Sequence, residues 1–344
     1  MKKIIFILMT LLISVKVSES TIVMDMDTKR VIYESNMNEV KLIASTTKIM
    51  TALVTINNSN LNDTITIDES ILQSTGSNIY IEIGEKITIE NLLYGLMLRS
   101  GNDAAIALAN YVGGSMEGFV TLMNETAASI GMTNTKFINS TGLEDNLGNG
   151  NTSTSYDLAL LMSHAMQNKT FRTITQTKTK VAKTSLKTYH WTNKNKLLFN
   201  YEHTTGGKTG YTKKAYRTLV TSASKDNKNL TIVTLNQAND FEIHKNLYEE
   251  YFNKYKIYNI INSNKFLKEE NKYINKDFNM LLTEDEYKRI KIDIINTKDI
   301  TNRVGYVTVS LDNKIYFKES IYKLKEKKKS IITKIKEFLW NIFQ

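Results

Sequence analysis

The chain has 344 residues, 41% hydrophobic and 23% charged, enough to bury one large core or two domains. It contains no cysteine, which excludes disulfide staples, thiolate zinc sites and a cysteine nucleophile. It also lacks proline, and its formal charge of +10 raises the question of a nucleic-acid partner.

Residues 1–20 have the form of an export signal: Lys2 and Lys3 precede an apolar run from Ile4 to Ile13, short for a membrane span. Ser18 and Ser20 supply small residues for a cut after Ser20. Thr21–Met26 alternates as a strand, a turn follows at Asp27-Thr28-Lys29, and Val31–Tyr33 returns, which predicts a hairpin. Helical patterns follow from Ala44 to Leu53, at Leu92–Leu98 and at Ala104–Tyr111, then at Glu117–Ile130 and Tyr156–Met166. Strand patterns return at Thr218–Ser222 and Leu230–Leu235, with a helix near His244–Tyr255. Sheet, helical insert and sheet together predict one mixed α/β domain over residues 21–258.

Residues 262–321 change character, with β-rich runs at Arg289–Ile295, Val304–Leu311 and Lys314–Phe317, and are expected to form a small β-type domain. In residues 322–344, Ile331, Ile332, Ile335, Phe338, Leu339, Ile342 and Phe343 fall on one helical stripe beside a lysine cluster. Such a helix suits a membrane surface, while a face docked on the protein's own core is the other reading. The two ends hold most of the charge, +2 in residues 1–20 and +5 in residues 322–344, leaving +3 for the 301 residues between. With no zinc finger, RNP-type motif or arginine-rich segment, no nucleic-acid partner is expected.

Three short motifs carry chemistry. Ser45-Thr46-Thr47-Lys48 is an S-x-x-K, which on a helix sets a lysine amine beside a serine hydroxyl. A desolvated neutral lysine can take the proton from such a serine. Two further copies, Ser222…Lys225 and Ser320…Lys323, show that the pattern alone decides nothing. Ser100-Gly101-Asn102 is the one S-x-N in the sequence and breaks two apolar helical patterns. Lys208-Thr209-Gly210 is the one K-T-G, just before a strand, where a glycine lets substrate approach the backbone. A phosphate-binding loop is excluded there, because its first glycine would fall on Glu202. His164, His190, His203 and His244 form neither an H-E-x-x-H nor a close pair, so no metal site is expected.

In this order the three motifs resemble those of penicillin-binding proteins and serine β-lactamases. Ile43–Ala52, Leu98–Ala105, Tyr111–Ser115, Trp191–Leu198 and Gly206–Thr212 are similar to segments of the serine-type D-alanyl-D-alanine carboxypeptidases. The likeness spans roughly residues 21–256 strongly, and the following β-rich domain and amphipathic tail weakly. It departs at Leu42 and Ile43, where a proline is common, and at Tyr216-Arg217-Thr218, where small residues and cysteine are common.

The resemblance implies an antiparallel sheet with a helical insert, an exported enzyme at the outer face of the membrane, and no cofactor. It implies attack by Ser45 on the D-Ala–D-Ala bond of peptidoglycan stem peptides, with Lys48 as base and Ser100 passing a proton to the leaving amine. Asn102 would orient the substrate amide, Lys208 and Thr209 would hold the terminal carboxylate, and Gly210 would let substrate approach. The N–H groups of Ser45 and Tyr211 would form the oxyanion hole. β-Lactams would acylate Ser45. A serine β-lactamase and an inactive stem-peptide-binding envelope protein are the alternatives. Against the former, no glutamate between S-x-N and K-T-G (Glu117, Glu125, Glu144, Glu202) stands in an E-x-x-x-N.

Overall fold

The computed structural model describes residues 18–300, 302–324 and 340. Most of the expected export segment, and all of the amphipathic tail except residues 322–324 and Trp340, lie outside them. Among the described residues no helix is long and apolar enough to cross a membrane. The chain divides into two compact units between Phe252 and Asn253.

The first unit opens with the hairpin β1 (Ser20–Asp25) and β2 (Val31–Ser35). The helical insert comprises α1 (Lys48–Asn58), α2 (Ile89–Tyr94), α3 (Asn102–Gly113), α4 (Met116–Ser129), α5 (Ser155–Ala165) and α6 (Lys169–Gln176). The chain then returns through β3 (Thr204–Thr212), β4 (Tyr216–Lys225) and β5 (Lys228–Leu235) to α7 (Asp240–Lys254). The five strands form one antiparallel sheet in the order β2-β1-β5-β4-β3. The first strand therefore pairs with the last, Ile22 opposite Val233, and the helical insert is closed between them.

Alternation along the strands gives the sheet two faces. Ile22, Met24, Val220, Val233 and Leu235 pack into the core of the helical insert. Thr221 and Thr234, one residue out of phase, turn toward α7. Helix α1 is buried along its first eight residues, Lys48 to Thr55, so it runs through the core instead of presenting a wet face.

In the second unit β6 (Lys256–Ile261) pairs with β7 (Phe278–Leu282). Strand β6 thus belongs to this unit, so the sequence boundary at residue 258 falls inside a paired strand. Strands β8 (Lys291–Ile300), β9 (Arg303–Leu311) and β10 (Lys314–Lys323) form an antiparallel sheet with the short strand Lys272–Tyr273 beside β10. Ile261, Phe278, Met280, Leu282, Val307, Val309 and Ile321 make a core of its own.

Candidate active site

The three motifs converge on one side of the first unit. Ser45 lies in a short 3-10 turn, Ala44–Thr47, that leads directly into α1 at Lys48. Ala44 has φ +45, a left-handed conformation that costs energy in any residue with a Cβ and is held by its surroundings. Lys48 is fully buried, and its Nζ lies 3.0 Å from Ser45 Oγ, 2.6 Å from Asn102 Oδ1 and 2.5 Å from the carbonyl oxygen of Thr141. Burial, with the positive charge of Lys194 adding to it and Asp103 opposing, lowers its pKa to about 7. A neutral amine close to physiological pH is what a proton acceptor for a serine hydroxyl requires.

The S-x-N loop is built by a widened turn. Helix α2 runs into a π-helical turn, Gly95–Arg99, and Ser100 follows with φ +65. Asn102 then starts α3, its backbone N–H donating to Ser77 O and its Nδ2 to Thr75 O. The buried carboxylate of Asp103 accepts the backbone N–H groups of Ile79, Tyr80, Ile81 and Ala104, pinning residues 79–81 against this loop. A carboxylate satisfied by several backbone donors is a strong fixed clamp.

Lys208 on β3 is also buried, and its Nζ donates to Ser100 Oγ (3.1 Å) and to the Thr209 carbonyl (2.6 Å). Burial, then the charges of Lys48 and Lys194, pushes its pKa well below the usual lysine value. A bound carboxylate would act in the opposite sense and restore the charge. Thr209 and Gly210 follow on the strand, and the side chain of Tyr211 is exposed. Gly210 faces the S-x-x-K turn: a Cβ there would overlap Thr218 Oγ1 and lie 2.9 Å from Ser45 N. Only a residue without a side chain lets β3 run this close to Ser45. All eight residues singled out by sequence therefore lie along the S-x-x-K turn, the S-x-N loop and the K-T-G strand, which adjoin one another.

A groove of about 910 Å³ reaches outward from Asn102 and Thr141 along Ile106, Tyr111 and Leu143. Glu144, set aside in sequence because no asparagine stands four residues on, lines this groove and accepts a hydrogen bond from Thr212. Sequence reasoning also assigned no role to Asp103, Thr141 or Lys194. Asp103 and Lys194 sit inside quoted family segments, whereas Thr141 acts through its backbone and leaves no residue-type signal.

A family model described as D-alanyl-D-alanine carboxypeptidase matches residues 14–239. The chain belongs to this family. It is 34% identical over 216 residues to the carboxypeptidase DacF of Bacillus subtilis, covering 61% of this chain and 55% of that protein. It is 41% identical over 203 residues to the D-alanyl-D-alanine carboxypeptidase of Streptomyces sp. strain K15, covering 54% of this chain and 68% of that one. The chain thus spans between half and about two thirds of these relatives' length. Among solved structures, a carboxypeptidase from Mycobacterium tuberculosis superposes with a TM-score of 0.65 at 31% identity, covering 68% of this chain and 90% of that one. The carboxypeptidase DacD of Francisella tularensis, at 24% identity, shares the fold with a TM-score of 0.70 over 89% of this chain and 92% of its own. The mixed α/β fold of penicillin-binding DD-peptidases is therefore that of this protein.

Proposed function

We propose that this protein is a serine carboxypeptidase that removes the terminal D-alanine from peptidoglycan stem peptides ending in D-Ala-D-Ala. The observation that carries the reading is the buried amine of Lys48, within hydrogen-bond reach of both Ser45 and Asn102, with Lys208 on Ser100 beside it. Neutral Lys48 takes the proton of Ser45 as its Oγ attacks the penultimate carbonyl carbon. The N–H groups of Ser45 and Tyr211 receive the oxyanion, and fixed donors of this kind stabilise charge only as it develops. Ser100 delivers its proton to the departing amine as the C–N bond breaks and is reprotonated from the Lys48 ammonium. The proton taken from Ser45 thus leaves with D-alanine and Lys48 is neutral again, while Lys208 and Thr209 hold the substrate's terminal carboxylate. Asn102, fixed by Thr75, orients the substrate amide. Water then hydrolyses the acyl-enzyme, and a β-lactam enters the same path through its strained amide.

The expected outcome for Ser45→Ala is loss of both D-alanine release from a pentapeptide and covalent labelling by a fluorescent penicillin. Labelling that survives the change would remove Ser45 from the role of nucleophile. Rapid nitrocefin turnover by the wild type would favour a β-lactamase instead.

The envelope is the site of action that this substrate demands. Lys2, Lys3 and the apolar run to Ile13 suit an export segment, and the stripe from Ile331 to Phe343 with its lysines suits a helix lying in an anionic membrane surface. Tyr322 and Lys323 belong to strand β10, so the tail is tested from residue 325. Deletion of residues 325–344 is then expected to abolish sedimentation of the protein with vesicles containing phosphatidylglycerol. Undiminished sedimentation would rule out the tail as anchor.

A further inference from the structure

We propose that Asn139 and Asn151 are positioning residues for Lys48, holding the Thr141 carbonyl where it aims the lysine lone pair at Ser45. The proposal rests on the assignment of Ser45 and Lys48 as nucleophile and base. A neutral primary amine has two N–H bonds and one lone pair. Of the three oxygens around Lys48 Nζ, those of Asn102 and Thr141 are carbonyl-type and only accept, whereas the Ser45 hydroxyl both donates and accepts. As an ammonium, Lys48 donates to all three. As an amine, it spends its two N–H bonds on Asn102 and Thr141, and the lone pair is left facing Ser45. Without the Thr141 carbonyl, one N–H is free to rotate toward Ser45 and the base is misdirected.

A backbone carbonyl serves this purpose only if its loop is rigid, and residues 139–143 belong to no helix or strand. Side-chain amides take the place of a regular ladder. Asn139 Oδ1 accepts from Thr141 N (3.1 Å), Gly142 N (2.7 Å) and Thr141 Oγ1 (3.1 Å), while its Nδ2 donates to Leu143 O (2.8 Å). Asn151 is fully buried. Its Oδ1 accepts from Ile138 N and Asn139 N, and its Nδ2 donates to Asn139 O and to Thr47 Oγ1, both at 2.9 Å. Thr47 immediately precedes Lys48, so one amide ties the strap to the helix that carries the base. One turn further, Thr51 Oγ1 donates to Ser140 O (2.7 Å). Gly142 has φ +85, and a Cβ there would overlap the carbonyl of Ala44, so the strap lies directly on the nucleophile turn.

The charged groups that act on Lys48 are Lys194, Asp103 and Lys208. None lies in residues 138–143, and the nearest carboxylate on the strap, Glu144, is engaged by Thr212. A change at Asn139 thus reaches Lys48 through the Thr141 carbonyl.

The test is the second-order rate of penicillin acylation between about pH 5 and 9, with the melting temperature of each variant. Asn139→Ala is expected to lower the plateau about 10-fold or more, since small misplacements of a reacting group cost this much. Its acid limb is expected to move to lower pH, because the ammonium loses an acceptor. Asn139→Asp keeps the three acceptor contacts but loses the donor to Leu143 O, and is expected to recover part of the plateau that Asn139→Ala loses, with its limb moved to higher pH by the added negative charge. Should Asn139→Ala fail to fold, Asn139→Gln, which displaces the amide by one methylene, is expected to show the same fall and the same limb shift. Wild-type plateau and limb in a folded Asn139→Ala or Asn139→Gln, whatever its melting temperature, would overturn the inference. Wild-type protein that escapes labelling would instead overturn the assignment of Ser45 and Lys48, and the inference with it.

Discussion

Each face of the five-stranded sheet carries a buried polar cluster with a base at its centre. On the side of the helical insert stands Lys48, lowered to about 7. On the side of α7 stands His244, lowered by burial to about 3. His244 Nδ1 meets Thr221 Oγ1 at 2.7 Å and its Nε2 meets Thr234 Oγ1 at 3.0 Å, while Tyr248 closes the cluster on Thr221. Both bases are wholly buried and both are displaced from their ordinary pKa. They differ in what surrounds them. Each polar atom of the His244 ring has a fixed protein partner, and neither Thr221 nor Thr234 reaches solvent. Lys48 touches Ser45, which is only half-buried, and Asn102, which lines an open groove. A shifted base is thus evidence of chemistry only where its neighbours can also meet a substrate; enclosed on all sides, it is a hydrogen-bonding element of the core.

Removing each base should separate the two roles. Lys48→Gln keeps most of the volume but cannot accept the proton, and is expected to lower acylation by penicillin by about 10²–10⁴-fold, the usual weight of a general base. Acylation by a folded Lys48→Gln variant at the wild-type rate would end the comparison at once. In the wild type, the acid limb should lie near pH 7, where Lys48 loses its proton, with the rate falling about tenfold per unit below it. A profile flat from pH 5 to about 8 would place the operative base elsewhere.

The smallest effect is expected from His244→Gln, whose amide can still bond both threonines. Acylation should be unchanged. The stability of the wild type, however, should fall as pH drops from 6.5 toward about 3. In that window the unfolded chain binds a proton that the folded chain refuses. The melting temperature of the variant should therefore depend less on pH across this range. An equal slope for both proteins would show that His244 is not held neutral.

The three motifs are legible because each has a fixed residue type at a fixed spacing, and the helix that follows Ser45 shows in local periodicity. K-T-G, expected just before a strand, lies inside strand β3, whose glycines and threonines hide its alternation. Other parts depend on partners distant in sequence. Nothing local sets β1 between β2 and β5, since that order is decided by Ile22 finding Val233 across the whole helical insert. The expected boundary at residue 258 cuts strand β6, because its partner, β7, lies beyond an irregular stretch and nothing local marks the pairing. Asn139 and Asn151 carry no signal of their own in the sequence, because asparagine is common in turns and its backbone contacts form only when the loop is folded. Asp103 was hidden differently: its ligands are four backbone N–H groups, which any sequence supplies.

Gly210 and Tyr211 divide the labour of one short stretch of strand. At position 210 even a methyl group would force β3 away from Ser45, whereas the Tyr211 side chain is 64% exposed and meets no such wall. The two neighbours therefore differ in the room they leave for a side chain. A larger side chain is accommodated at 211, while 210 is closed to one. Bulk added at 210 narrows the gap between β3 and Ser45 for every molecule that enters it, substrate and inhibitor alike.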